Sequence, residues 1–391
     1  MNYDFDLVTD RRGTFSSKWD VAPGELPMWV ADMDFRTAPE ILDAMEKRLA
    51  HGIFGYTDVP DEWYGAYRAW WETRHRLRME EEALMFCTGV IPALSSMVRK
   101  LATPNENVVI QTPVYHIFYN SVLNNGCRVL ENPLRRENDG WEMDFDGLER
   151  AFADPQTTLM VLCNPHNPVG KIWDRETLAR VGELAAKYRV TVISDEIHCD
   201  ITRPGTSYVP FASVSETCRQ VSAVCVAPTK AFNIAGLQTA AIYVPDPFLR
   251  HKVRRGINTD EVAEPNVFAV TAAIAAFTEG GPWLDAMRAY VFENRRAAEA
   301  YAEAHIPWIR ILPGDATYLL WADVSRLTED STAFAAFLRK ETGLFVSAGT
   351  PFGGEGHRYL RINIACPRVR LEDGLRRLRA GCEAYARKMG A

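Results

Sequence analysis

Thr158-Leu159-Met160-Val161-Leu162-Cys163 is an apolar run, and a second one, Val190-Thr191-Val192-Ile193-Ser194-Asp195, follows it after a helical stretch. Each run has the length of a strand and is apolar enough to be covered on both faces. Between them, Asp174 can cap a helix whose Leu178, Val181, Leu184 or Ala185, and Tyr188 recur on one side. A helix that joins two such strands predicts parallel neighbours, because parallel pairing requires a crossover.

Working outward, further strands are expected at 108–111, 128–130, 221–227 and 240–244, so the stretch from 107 to 244 reads as a helix-covered, mainly parallel sheet. From Trp283 the texture changes to Ala- and Arg-rich helical patterns. Short strands at 309–312, 318–323 and 359–364 follow, with a helix at 331–342 and a last amphipathic helix carrying Leu371, Leu375, Leu378, Cys382 and Tyr385. The expectation is an α/β chain with a large domain over 45–282 and a smaller α+β domain built from 1–44 and 283–391. No repeat or Gly/Ser linker separates them, which predicts a broad shared interface.

With 391 residues, 47% of them hydrophobic, the chain can bury a large core. A net charge of -7 with scattered Lys and Arg offers no field for a phosphate backbone, so nucleic acid is not an expected partner. The acidic start Met1-Asn2-Tyr3-Asp4-Phe5-Asp6 does not resemble a signal peptide, and no apolar stretch has bilayer length. Eight dispersed cysteines without a C-x-x-C pair argue against a disulfide framework or a metal site. The expectation is a cytoplasmic protein with reduced thiols and no membrane contact.

The chemistry centres on Lys230, in Ala227-Pro228-Thr229-Lys230-Ala231-Phe232-Asn233-Ile234-Ala235-Gly236. Thr229 and Lys230 follow a strand, and the small apolar residues after them would keep water from an imine and depress an amine pKa. Asp195 closes another strand, where ligands of open α/β sheets bind. A buried amine and a carboxylate at neighbouring strand ends are what pyridoxal phosphate (PLP) requires, the first for its aldehyde and the second for its ring nitrogen. The rival readings are a surface lysine after a Pro turn for Lys230 and, as readily when Asp195 is taken alone, a helix cap or loop carboxylate. Asn167, in Cys163-Asn164-Pro165-His166-Asn167-Pro168-Val169-Gly170, is either a donor to the ring oxygen or part of a turn. Thr88-Gly89-Val90 enters a helix and could present free N-H groups to a phosphate, or form an empty strand-to-helix turn. Tyr115 could stack on the ring or fill the core. Arg361 lies in the apolar run Tyr359-Leu360-Arg361-Ile362-Asn363-Ile364 and needs an anion, either a substrate carboxylate or an internal acid. The Gly-rich stretch 349–356 before it reads as a cover over the site or a plain connector.

Over nearly its whole length the chain resembles fold-type I PLP enzymes, the aspartate aminotransferase superfamily. Trp29-Val30-Ala31-Asp32-Met33-Asp34-Phe35, Gly55-Tyr56-Thr57, Ser194-Asp195-Glu196-Ile197-His198 and Lys230 to Leu237 are similar to the MalY/PatB subfamily of carbon-sulfur β-lyases. The resemblance implies Lys230 as the Schiff-base lysine, Asp195 at the ring nitrogen, Asn167 and His198 near the ring hydroxyl, and Tyr115 stacked on the ring. It further implies Ala31 and Arg361 at the substrate, and Tyr56 at the phosphate of a neighbouring subunit in a homodimer with shared sites. Two positions depart from the superfamily pattern: Ala227 replaces a Ser and Gln238 an Arg, both of which usually touch the phosphate.

The resemblance implies cleavage of cystathionine or a related cysteine conjugate to a thiol, pyruvate and ammonia. An aminotransferase would use the same fold and the same cofactor, and a PLP-binding regulatory protein would retain both without turnover.

Overall fold

The computed structural model describes residues 3–137 and 140–390; Met1 and Asn2 of the acidic start lie outside them. Seven strands form the central sheet: β1 (Leu84–Cys87), β2 (Asn107–Ile110), β3 (Arg128–Glu131), β4 (Thr157–Cys163), β5 (Thr191–Asp195), β6 (Ser222–Val226) and β7 (Ala240–Tyr243). Their spatial order is β1-β7-β6-β5-β4-β2-β3. From β3 through β6 every pairing is parallel. The helix between β4 and β5 runs Arg175–Tyr188, with the Asp174 side chain accepting from the Thr177 N-H.

β7 departs from the expected crossover pattern, since it pairs antiparallel with both β6 and β1. Residues 227–239 contain only turns and the short 3-10 helix Ala235–Leu237, so the chain reverses at the carboxyl end of β6 without a helical crossover. This reversal forms the turn that carries Lys230.

A second sheet of four strands, β8 (Arg310–Ile311), β9 (Leu319–Asp323), β10 (Ser347–Ala348) and β11 (Tyr359–Asn363), is antiparallel throughout, in the order β8-β9-β11-β10. Helices Ser331–Thr342 and Arg368–Met389 pack together beside it. Near the N-terminus, Leu26–Pro27 pairs parallel with Leu344–Phe345, delivering the chain to Trp29 beside β11.

The tryptophans act mainly as packing. Trp63 and Trp71 are fully buried, Tyr67 stacks on Trp71 at 5.6 Å, and Phe277 meets Tyr67 edge-on at 4.7 Å. All eight cysteines are free and buried. Among the described residues, no single helix is long and apolar enough to cross a membrane.

Candidate active site

Five loops leave the carboxyl ends of β1, β2, β4, β5 and β6 on one side of the sheet, where an open α/β sheet keeps its ligand crevice. They line a cavity of about 270 Å³ whose wall includes Thr88, Gly89, Val90, Tyr115, Asn167, Asp195, His198, Thr229 and Lys230. Ala31 also reaches this wall, from the segment before the large sheet.

Lys230 donates from Nζ to the Ala31 carbonyl at 2.6 Å. Burial pulls its pKa from 10.5 down to about 8, helped by the Arg361 charge and opposed by Asp32 and Asp195. Asp195 is buried, accepts from the Ile197 N-H at 3.1 Å, and is raised to about 6, chiefly by desolvation. Beside it, Glu196 is pushed up to about 8 by burial, although it accepts from Phe211 N-H and Ser194 Oγ-H. A neutral Glu196 spares Asp195 a second negative charge at the same depth.

His198 is held down at about 3 by burial and by the Lys230 and Arg361 charges, so its imidazole is neutral. Its Nδ1 is buried without a hydrogen-bond partner among the described residues. Arg361 comes from β11 and is 4% exposed. It donates from Nη1 to Asn167 Oδ1 at 3.3 Å and from Nη2 to the Trp29 carbonyl at 3.2 Å, while its Nε has no partner among the described residues. Its face rests over Phe352 at 4.8 Å. Of the two anions that the sequence offers for it, no internal acid pairs with it among the described residues, and a bound carboxylate would complete its hydrogen bonding.

The helix Val90–Leu101 starts at Gly89 with no side-chain cap, which leaves early backbone N-H groups pointing at the cavity's end. Gln238, read from the sequence as a gap in the phosphate cradle, lines this cavity in a left-handed conformation, φ 54°. Ala227, the other departure, is buried. Ile91, Pro92, Cys163, Ile197 and Ala235 complete the wall and carried no sequence signal of their own.

Tyr56 does not reach this cavity. Its side chain is fully exposed, near the exposed Leu49, Ile53 and Phe54. The 349–356 stretch is docked as two 3-10 turns, Thr350–Phe352 and Gly354–Arg358: the Phe352 carbonyl accepts from the Val114 N-H, and the Phe352 ring is buried.

The family model for class I and II aminotransferases matches residues 27–378. The chain belongs to that family. Within it, the chain is 41% identical over 384 residues to cystathionine beta-lyase PatB of Bacillus subtilis, covering 96% of this chain and 99% of PatB. It is 34% identical to protein MalY of Escherichia coli, covering 95% and 97%. Among solved structures, cystalysin from Treponema denticola, which contains a pyridoxal 5'-phosphate cofactor, superposes with a TM-score of 0.95 at 29% identity, over 98% of this chain and all of cystalysin.

Proposed function

We propose that this chain is a PLP-dependent carbon-sulfur β-lyase that cleaves L-cystathionine or a related L-cysteine S-conjugate, with water, to a thiol, pyruvate and ammonia. The observation that carries the reading is a buried amine and a buried carboxylate sharing one cavity, in a chain 41% identical end to end to a cystathionine β-lyase.

The residues present fit PLP. Asp195 is a desolvated acid whose high pKa is relieved by a cationic partner such as a protonated ring nitrogen. The unpartnered His198 Nδ1 and the Asn167 amide suit a ring oxygen, Tyr115 offers a ring face, and Thr88, Thr229, Gln238 and the Gly89–Val90 backbone suit the phosphate. Bound there, PLP supplies an electron sink for charge developing at the substrate Cα.

The chain's own groups do the rest. Arg361 holds the substrate α-carboxylate through its fork and sets the Cα-H bond towards Lys230. Lys230, whose amine sheds its charge around pH 8 rather than 10.5, takes the Cα proton as general base. The Cβ-S bond then breaks and the sulfur leaves with its electron pair. Ala31 holds an N-H of Lys230 through its carbonyl, an acceptor that leaves the amine lone pair free. Residues 45–282 form the cofactor-holding unit in this reading, and 1–44 with 283–391 the unit that brings Arg361.

The same reading makes the protein a homodimer. Tyr56 and the apolar Leu49, Ile53 and Phe54 are exposed on one chain, which suits a face that a second copy covers and a tyrosine lent to its phosphate site. A cytoplasmic setting agrees with the eight free thiols.

The test is incubation of the purified holoprotein with L-cystathionine and no keto acid. Pyruvate and thiol in equal amounts are expected. Strict dependence on an added keto acid would replace the lyase with an aminotransferase, and no turnover of any amino acid would favour a regulatory protein.

A further inference from the structure

The Ala31 carbonyl is bonded twice. Besides the Lys230 amine at 2.6 Å, it accepts from the Tyr318 hydroxyl at 3.0 Å. Tyr318 stands one residue before β9, in the second sheet, and is fully buried. Ala31 is the hydroxyl's one hydrogen-bond partner among the described residues. Burial, reinforced by the Asp32 charge, holds the phenol's pKa above its ordinary value, so it stays protonated and donating across the working range.

A carbonyl oxygen has two lone pairs, and here two donors share them. The sharing has two consequences for the amine. A carbonyl already bonded to a hydroxyl is a poorer acceptor for an ammonium, so the amine gives up its proton more readily. When the amine leaves Ala31, the desolvated oxygen keeps one partner, which removes part of the penalty on departure. The other groups around the pair are Arg361, Asp32, Asp195 and Tyr115, which act on the amine or the phenol through their charge. None of the four is bonded to this oxygen among the described residues. His198, whose ring meets that of Tyr318 edge-on at 6.3 Å, is neutral.

We propose that Tyr318 is a positioning residue for Lys230: by occupying one side of the Ala31 carbonyl it keeps the amine loosely held, ready to lose its proton and to move between Ala31 and the cofactor. This rests on the reading of Lys230 as the PLP-binding amine, and not on which substrate bond breaks afterwards.

The test titrates the amine in wild type, in Tyr318→Phe and in a form carrying 3-fluorotyrosine at 318. Acetic anhydride acylates only the neutral amine, so its rate at Lys230 across pH, read by mass spectrometry in protein stripped of cofactor, gives the midpoint. Tyr318→Phe removes the competing donor and is expected to raise that midpoint by about half to one pH unit, slowing PLP uptake at pH 7 about three- to tenfold. The fluorinated phenol keeps the shape, donates more strongly and should move the midpoint the other way. A midpoint within about 0.2 pH unit of wild type in whichever of the two forms folds overturns the role. So do shifts of the same sign in both, the mark of a general loosening of the site. Failure of wild type to take up PLP would sink the cofactor reading instead, and the acylation midpoints would still decide whether Tyr318 controls the amine.

Discussion

Asn167 and Arg361, 194 residues apart, are joined at 3.3 Å, the amide in the loop after β4 accepting from the guanidinium on β11. The residue that suits the cofactor's ring oxygen is thus bonded to the residue that suits the substrate's carboxylate. Replacing Arg361 by Gln removes the charge and the fork, and kcat/KM is expected to fall about 100-fold, carried mainly by KM. Arg361→Lys keeps the charge but loses the planar pair of donors, so it should recover only part of the loss. Equal KM in wild type and Arg361→Gln would remove Arg361 from substrate binding.

Lys230 gives a pH signature in protein stripped of cofactor. Only the neutral amine attacks an aldehyde, so PLP uptake should speed up with rising pH and level off above about pH 8, where burial has placed the amine's pKa. An ordinary lysine, at 10.5, would keep accelerating to pH 10. Stopped-flow absorbance across pH 6–10, with Lys230→Ala as the blank, separates the two.

Asp195 should cost the cofactor-free protein stability. Its pKa is raised from 3.8 to about 6 by burial, so the unfolded carboxylate ionises first on raising the pH. Stability is lost between those values and stays lost above pH 6, by roughly 3 kcal/mol. Asp195→Asn can still accept from Ile197 but cannot ionise. Urea denaturation should find this variant more stable than wild type at pH 7.5, with the difference vanishing below the unfolded pKa of 3.8, while its lyase activity falls by orders of magnitude.

If Tyr56 serves the neighbouring subunit, Tyr56→Ala and Lys230→Ala are defects of different halves of one composite site. Refolding equal amounts of the two together should restore about a quarter of wild-type activity, since half the dimers are mixed and each mixed dimer holds one intact site. Mixtures no more active than the separate variants would return Tyr56 to a packing role.

Gly349 sits where the chain turns into the docked loop. A Cβ there would come within 2.3 Å of the Gly356 carbonyl and 2.7 Å of the Trp321 ring. Gly349→Ala should lower the thermal midpoint by several degrees and weaken substrate binding through the displaced Phe352, on which Arg361 rests.

Much of the fold and of the site is legible in the sequence alone. The apolar runs 158–163 and 190–195, the Asp174 cap and the helix 331–342 follow from periodicity and capping chemistry, and they appear as β4, β5 and the two helices. The site side chains read from strand ends do converge. The direction of β7 was not legible, because an apolar run carries no record of which way it runs; only the missing helix in 227–239 hinted at a reversal. Ala31 was implied at the substrate, whereas its observed contact is a backbone carbonyl bonded to Lys230, and a main-chain acceptor leaves no mark on residue type. Gln238 looked like a loss because an Arg was expected there, yet the backbone still turns its residue to the cavity wall.

The short strap from Trp29 to Ala31 touches Arg361 with one carbonyl and Lys230 with another, and Asn363 grips the Val30 and Asp32 carbonyls at 2.6 Å each. The carboxylate-binding arginine and the base are therefore bonded to the same three-residue segment. A change that retunes one will be felt by the other, so descendants of this protein that acquire a different grip on their substrate must also inherit a differently poised amine.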